Sequence, residues 1–242
     1  MRGSASMSVP HHTGPRKADA GLPLAGVGLH ADVAGALFWP EQGMLAVADL
    51  HLEKGSSFAE RGVLLPPYDT AATLARLNAL IVRYAPRLVV ALGDSFHDGR
   101  GPARLADTDR ATLKAMQRGR DWVWIAGNHD PEPADNIGGR FLPVLKLGTL
   151  TFRHEPGGEE SGEIAGHLHP VARVARRGRA VSRRCFVSDG VRLVMPAFGA
   201  YTGGLNVRDR AFARVFETLT FTAHMLGLER VYAVAAKHCL PD

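Results

Sequence analysis

The sequence is poor in cysteine, in long apolar runs and, over one stretch, in acidic residues. Two cysteines in 242 residues, Cys185 and Cys239, are too few for a disulfide framework. Two free thiols in a reducing cytosol are expected instead. No apolar run approaches the ~20 residues a membrane span needs; the longest, Leu88–Leu92 and Trp122–Ala126, have strand length. No membrane partner is therefore expected, and the chain is expected in the cytoplasm. No internal repeat or convincing linker is present. Residues 1–22, rich in Gly, Ser, Pro and basic side chains, lack the apolar stretch of a signal peptide. They are read as a mobile tail, in part vector-derived, ahead of a single domain over 23–242. What remains is an ordinary globular composition, 45% hydrophobic and 22% charged, which excludes a disordered chain, a coiled coil and a collagen-like repeat. The net charge of +5 permits a polyanionic partner.

Short apolar runs alternate with helical patterns from Asp32 onward. Ala34–Trp39 and Met44–Ala48 read as strands joined by a turn at Pro40–Gly43. Tyr68–Tyr84 has helix periodicity, with Leu74, Leu77, Ile81 and Tyr84 on one face. Leu88–Leu92 is a buried strand, Asp107–Gln117 a helix stopped at Gly119, and Trp122–Ala126 a further strand, with Trp122 and Trp124 packing on one face. Beyond Phe141 short strands follow one another: Val144–Leu147, Leu150–Arg153, Glu163–Gly166, Val171–Val174, Arg184–Val187 and Arg192–Met195. A helix near Asp209–Phe216 and a strand near Arg230–Ala235 close the chain. The pattern predicts an α/β fold (α+β in layers), two sheets flanked by helices.

Histidine carries the chemical signal. There are eleven, and six of them, His51, His97, His129, His154, His167 and His169, sit at or just after strand ends. In open α/β sheets that edge is where sites are built. Asp49-Leu50-His51 follows one strand, Gly93-Asp94-Ser95-Phe96-His97-Asp98 the next, and Gly127-Asn128-His129-Asp130 a third. His154 and Gly166-His167-Leu168-His169 come later. Carboxylate, imidazole and amide oxygen together suit Mn²⁺, Fe²⁺ or Zn²⁺, and seven such donors are too many for one tetrahedral ion. With Asp94 bridging, they would serve two ions with four bonds each. Asp98 and Asp130 are expected to cap turns or orient neighbouring histidines.

These motifs, in this order, resemble the calcineurin-like metallophosphoesterase superfamily. The stretches ADLHLEKGSSFA (48–59), LGDSFHD (92–98), AGNHDP (126–131), GEIAGHLHP (162–170) and PAFGAYTGGL (196–205) are further similar to the ligase-associated DNA damage response metallophosphoesterases. The resemblance implies a β-sandwich of two mixed sheets flanked by helices and a manganese-dependent DNA endonuclease. It also implies functional association with a DNA ligase and a helicase. One metal would be held by Asp49, His51, Asp94 and His169, the other by Asp94, Asn128, His154 and His167. His129 would contact the scissile phosphate. Gly93–His97 is also similar to a G-D-x-F-H motif of the double-strand-break repair nuclease subunit, so His97 inherits a DNA-positioning role. The chain departs from its relatives in the 48 residues ahead of Asp49. It also has no room for a capping domain, so an open site is expected.

Arg173–Arg184 contains six arginines and no acid. Arg173, Arg176 and Arg177 are candidate contacts for a phosphate backbone, as are Arg100 and Arg104 after the Gly-Asp loop. Tyr201 is a candidate for base stacking or for packing. Single-stranded or flexible DNA in a repair setting is the expected substrate. The alternatives are a small-molecule (nucleotide) phosphodiesterase or phosphatase on the same fold and a non-catalytic binding module.

Overall fold

A computed structural model describes residues 20–66, 68–132, 136–157, 161–217 and 220–242. Of the expected tail, residues 1–19 lie outside the described residues, while Ala20–Leu22 belong to the first strand. That strand, β1 (Ala20–Leu24), pairs with β2 (Val27–Ala31) in an antiparallel hairpin. Leu22, Leu24, Leu29 and Ala31 alternate inward, as a half-buried strand requires.

The first sheet has the order β1-β2-β3-β4-β5-β6-β7. Here β3 is Leu37–Trp39, β4 Met44–Ala48, β5 Leu88–Leu92, β6 Asp121–Ile125 and β7 Arg140–Leu142. Strands β4 to β7 are parallel, and Ala48, Leu92 and Ile125 stand in register at their carboxyl ends. The crossovers are α1 (Lys54–Glu60) and α2 (Asp69–Tyr84) after β4, and α3 (Gly101–Arg104) and α4 (Asp107–Gln117) after β5. Leu74, Leu77 and Ile81 of α2 and Leu113 and Met116 of α4 cover one face of this sheet, packing on Leu45, Val47, Val89, Ala91, Trp122 and Trp124. The strands are buried on both faces, so they read as continuous apolar runs.

The other face packs on a second sheet. Met44, Ala46, Val90, Leu92, Val123 and Ile125 meet Leu150, Phe152, Ile164, Phe186, Leu193 and Met195. The second sheet contains β8 (Val144–Leu147), β9 (Leu150–Arg153), β10 (Glu163–Ala165), β11 (Pro170–Arg176), β12 (Arg179–Ser188), β13 (Arg192–Val194) and β14 (Leu205–Asn206), with β15 (Thr222–Leu226) and β16 (Val231–Ala235) attached through β12. Both sheets are mixed, so the expected layered α/β sandwich is what the chain builds. Where a helix was expected near Asp209–Phe216 there is only a 3₁₀ turn, Phe212–Arg214, whose Phe212 drops into the core beneath β12 and β15. Among the described residues no helix is long and apolar enough to cross a membrane. Cys185 and Cys239 are free and buried.

Candidate metal centre

The register of β4, β5 and β6 puts Asp49, Gly93 and Ala126 at one level, so the three polar loops open on the same edge. In the second sheet Arg153 of β9 stands opposite Ala165 of β10, which places His154 beside Gly166. The sheets are joined at this edge. Ala48 bridges Ala197, the Phe198 N–H donates to the Ala48 carbonyl, and the Gly199 N–H donates to that of Asp49. The His51 N–H donates to the Asp94 carbonyl and the Leu52 N–H to that of Ser95.

Five of the expected ligands adopt the left-handed backbone region: Asp49 (φ 53°), His51 (41°), Asp94 (44°), His167 (67°) and His169 (46°). Each such non-glycine residue costs about 1–3 kcal/mol and persists only where its surroundings over-determine it. Three glycines make the convergence sterically possible. A Cβ on Gly93 would strike the His154 imidazole. One on Gly127 would strike the Asp94 backbone and carboxylate, and one on Gly166 would lie 2.7 Å from Asp49 Oδ2.

Among the described residues the ligand atoms of Asp49/His51/His169 and of Asp94/His154/His167 each lie within 4.8 Å of one another, as do those of a third group, His51/His97/His129. In the first, His51 Nε2 and His169 Nε2 are 3.4 Å apart, and His169 Nε2 is 3.4 Å from Asp49 Oδ1. In the second, His154 Nε2 lies 3.2 Å from His167 Nδ1, 2.9 Å from Asn128 Oδ1 and 3.4 Å from Asp94 Oδ2; Asn128 Oδ1 is 3.0 Å from His167 Nδ1. Asp94 also stands 3.8 Å from His51 Nε2, between the groups. The seven residues expected to act together are thus brought together.

The donor set fits divalent cations. Asp49 and Asp94 are 0% and 2% exposed, and buried carboxylates need a compensating charge. His154 Nδ1 donates to the Leu92 carbonyl at 3.1 Å, which orients the ring with Nε2 turned into the site. Burial, reinforced by His169, His129 and His97 against the pull of Asp94, holds His51 down at about 3. Its ring is therefore neutral, the form in which an imidazole serves as a metal ligand. Burial would raise the Asp94 carboxyl, but the His154 hydrogen bond and charge and the His129 N–H hold it at about 2. Burial would lower His154, but Asp94 and Asp49 outweigh it and lift the ring to about 9. Two buried carboxylates there call for positive charge.

His129 sits beside this centre. Its Nδ1 donates to the His97 carbonyl at 2.7 Å and its N–H to Asp94 Oδ1 at 2.9 Å. Nε2 lies 3.9 Å from Asp94 Oδ2, at the edge of the centre. The His97 ring stacks on that of His129, with centroids 5.3 Å apart. Asp130 caps the Gly-Asp loop, its Oδ2 accepting the Ser95 and Phe96 N–H groups at 2.8 and 3.1 Å. Asp98 accepts from the Arg100 N–H and from Arg104.

The expected cationic contacts divide. Arg104 is tied to Asp98 at 2.9 Å and to Ser56, and Arg100 to Glu60 at 2.8 Å. Arg173 donates to the Pro241 carbonyl. Arg176 and Arg177 are exposed at the far tip of the β11–β12 hairpin, roughly 20–25 Å from His169 by strand rise. Arg184 reaches inward and donates to the carbonyls of Ala197, Gly199 and Thr202, which secures the loop bearing Tyr201. The Tyr201 carbonyl accepts from Lys54 Nζ at 3.0 Å. Reading the sequence passed over Lys54 and the helix that carries it; its only signal was a lysine three residues after His51.

A family model for calcineurin-like phosphoesterases matches residues 44–183, more than half of the chain. The crystal structure of the Pseudomonas putida nuclease MPE is similar at 28% identity and a TM-score of 0.68, covering 89% of this chain and 100% of that one. No curated protein matches.

Proposed function

From the premise that the chain belongs to the calcineurin-like phosphoesterases, a family of metal-dependent phosphoesterases, we propose that it is a two-metal DNA endonuclease acting on single-stranded or flexible DNA. Manganese is its proposed metal and DNA repair its proposed setting. The observation that carries the reading is the pair of ligand groups meeting at Asp94, with Nε2 of His129 beside them. The 28% identity to a nuclease over that protein's whole length supports nucleic acid as substrate. It is also consistent with membership of the ligase-associated endonucleases, from which the proposed link to a ligase and a helicase comes. The free, buried Cys185 and Cys239 support a cytoplasmic setting.

In this reading Asp49, His51, Asp94 and His169 hold one ion and Asp94, Asn128, His154 and His167 the other. When bound, the two ions supply the Lewis acidity that activates water and neutralises a phosphodiester. The remaining work belongs to the chain. His129 keeps its Nδ1–H on the His97 carbonyl, so it is the doubly protonated ring that would donate its Nε2–H to a non-bridging phosphate oxygen or pass that proton to the departing oxygen. The His97 ring, stacked on His129, lines the approach of the strand. Arg176, Arg177 and Tyr201 are proposed as outer contacts of a longer strand. Arg100, Arg104 and Arg173 would take part only by exchanging their present partners for phosphate.

Circular single-stranded DNA tests this directly, because a circle has no end for an exonuclease. Linearisation with Mn²⁺, its loss in EDTA and a fall of about 10²–10⁴-fold in His129→Ala are expected. Intact circles beside hydrolysis of bis(4-nitrophenyl) phosphate would keep the phosphoesterase and refute the DNA endonuclease.

A further inference from the structure

Helix α1 carries Lys54 and Phe58 four residues apart, and Arg61 closes the helix three residues later. Positions i, i+4 and i+7 form one stripe of a helix. Phe58 packs on His97 with ring centroids 5.6 Å apart, so the stripe faces the metal centre. Lys54 Nζ stands 5.8 Å from the Phe58 ring and, among the described residues, donates one hydrogen bond, to the Tyr201 carbonyl, with Asp69 near enough to act on its charge. Arg61 is exposed and Phe58 half-buried. Arg100 and Arg104, by contrast, spend their charge on Glu60 and Asp98.

Resting on the nuclease reading, we infer that this stripe is the track for the single strand entering the metal centre: Lys54 and Arg61 on the phosphates flanking the scissile one, Phe58 against an unpaired base. A cation–aromatic–cation series is the arrangement by which single strands are held without sequence preference. A ring already resting on His97 would align the base beside the ring that stacks on His129.

The test is binding of full-length protein to a short fluorescein-labelled oligothymidylate across a salt series. Ca²⁺ replaces Mn²⁺, and strand integrity is checked on a gel. For a single strand each neutralised phosphate contributes about 0.7 to the log–log salt slope, so Lys54→Met/Arg61→Ala should be shallower by about 1.4. Lys54→Arg/Arg61→Lys should retain the slope. Phe58→Leu should weaken binding by roughly 5- to 100-fold with the slope unchanged. A double variant with wild-type slope, whether or not affinity falls, would overturn the assignment, as would a wild-type protein that binds no single strand. Binding through the stripe without cleavage of circles would end the endonuclease reading and keep this one.

Discussion

Gly93→Ala isolates the packing that builds the metal centre. Gly93 has φ +67°, where an alanine costs about 1–2 kcal/mol. Its Cβ would also lie 2.5 and 2.6 Å from Cγ and Cβ of His154. Overpacking of that kind costs about 1–3 kcal/mol, for a total of about 2–5 kcal/mol. In a domain of this size that lowers Tm by roughly 4–20 °C. The displaced His154 ring would lose its bond to the Leu92 carbonyl and carry Nε2 away from Asn128 and Asp94. Loss of such an orienting contact weakens metal binding about 10- to 100-fold. Gly119→Ala is the matched control, because Gly119 has φ +73° with nothing within 4 Å of its Cβ. It should lose only the backbone part, about 1–2 kcal/mol, with metal content intact. Calorimetry and metal analysis of both variants after dialysis make the comparison. If Gly93→Ala matches Gly119→Ala in Tm and in bound metal, the contact between β5 and His154 does not shape the site.

Two further substitutions probe the loops around it. Arg184→Met removes the donor to three carbonyls and should cost about 2–4 kcal/mol in urea unfolding; an unchanged midpoint would show that the Tyr201 loop stands without it. Asp130→Ala strands the Ser95 and Phe96 N–H groups and should cost a similar amount, about 2–4 kcal/mol, with a lowered kcat. Asp130→Asn, whose amide oxygen still accepts, should recover most of both, and equal losses in the two variants would refute the hydrogen-bonding role.

Much of the fold is legible in the sequence. Leu88–Leu92, Asp107–Gln117, Val144–Leu147 and Leu150–Arg153 lie where the sequence pattern puts them, because each is a strand-length apolar run or a helical segment bounded by turn-forming residues. The β1–β2 hairpin is hidden: the start of β1 falls in the expected tail, and Gly21, Pro23, Gly26 and Gly28 interrupt the strand pattern of the pair. Helix α1 is hidden for another reason. Lys54–Glu60 begins at a left-handed Glu53 with no side-chain cap, and contacts far along the chain hold it in place: Gly55 N–H to Asp69, and the Glu53 N–H and carboxylate to Thr70. Local propensity carries no trace of such partners.

The sequence by itself determined the chemistry available. Carboxylate, imidazole and amide oxygen follow successive strands because a parallel sheet delivers every carboxyl end to one edge, and alternation within D-x-H and H-x-H is a local property of the chain. Tertiary structure decided who meets whom. The register of Ala48, Leu92 and Ile125 levels three loops, and the bridge from Ala48 to Ala197 brings His154, His167 and His169 over them. It also decided which cations remain available. Arg100, Arg104 and Arg184 look as free in the sequence as Lys54 and Arg61, but Glu60, Asp98 and three backbone carbonyls occupy them. Charge is written in the sequence, whereas its neutralisation depends on distances between residues that the chain keeps far apart until it folds.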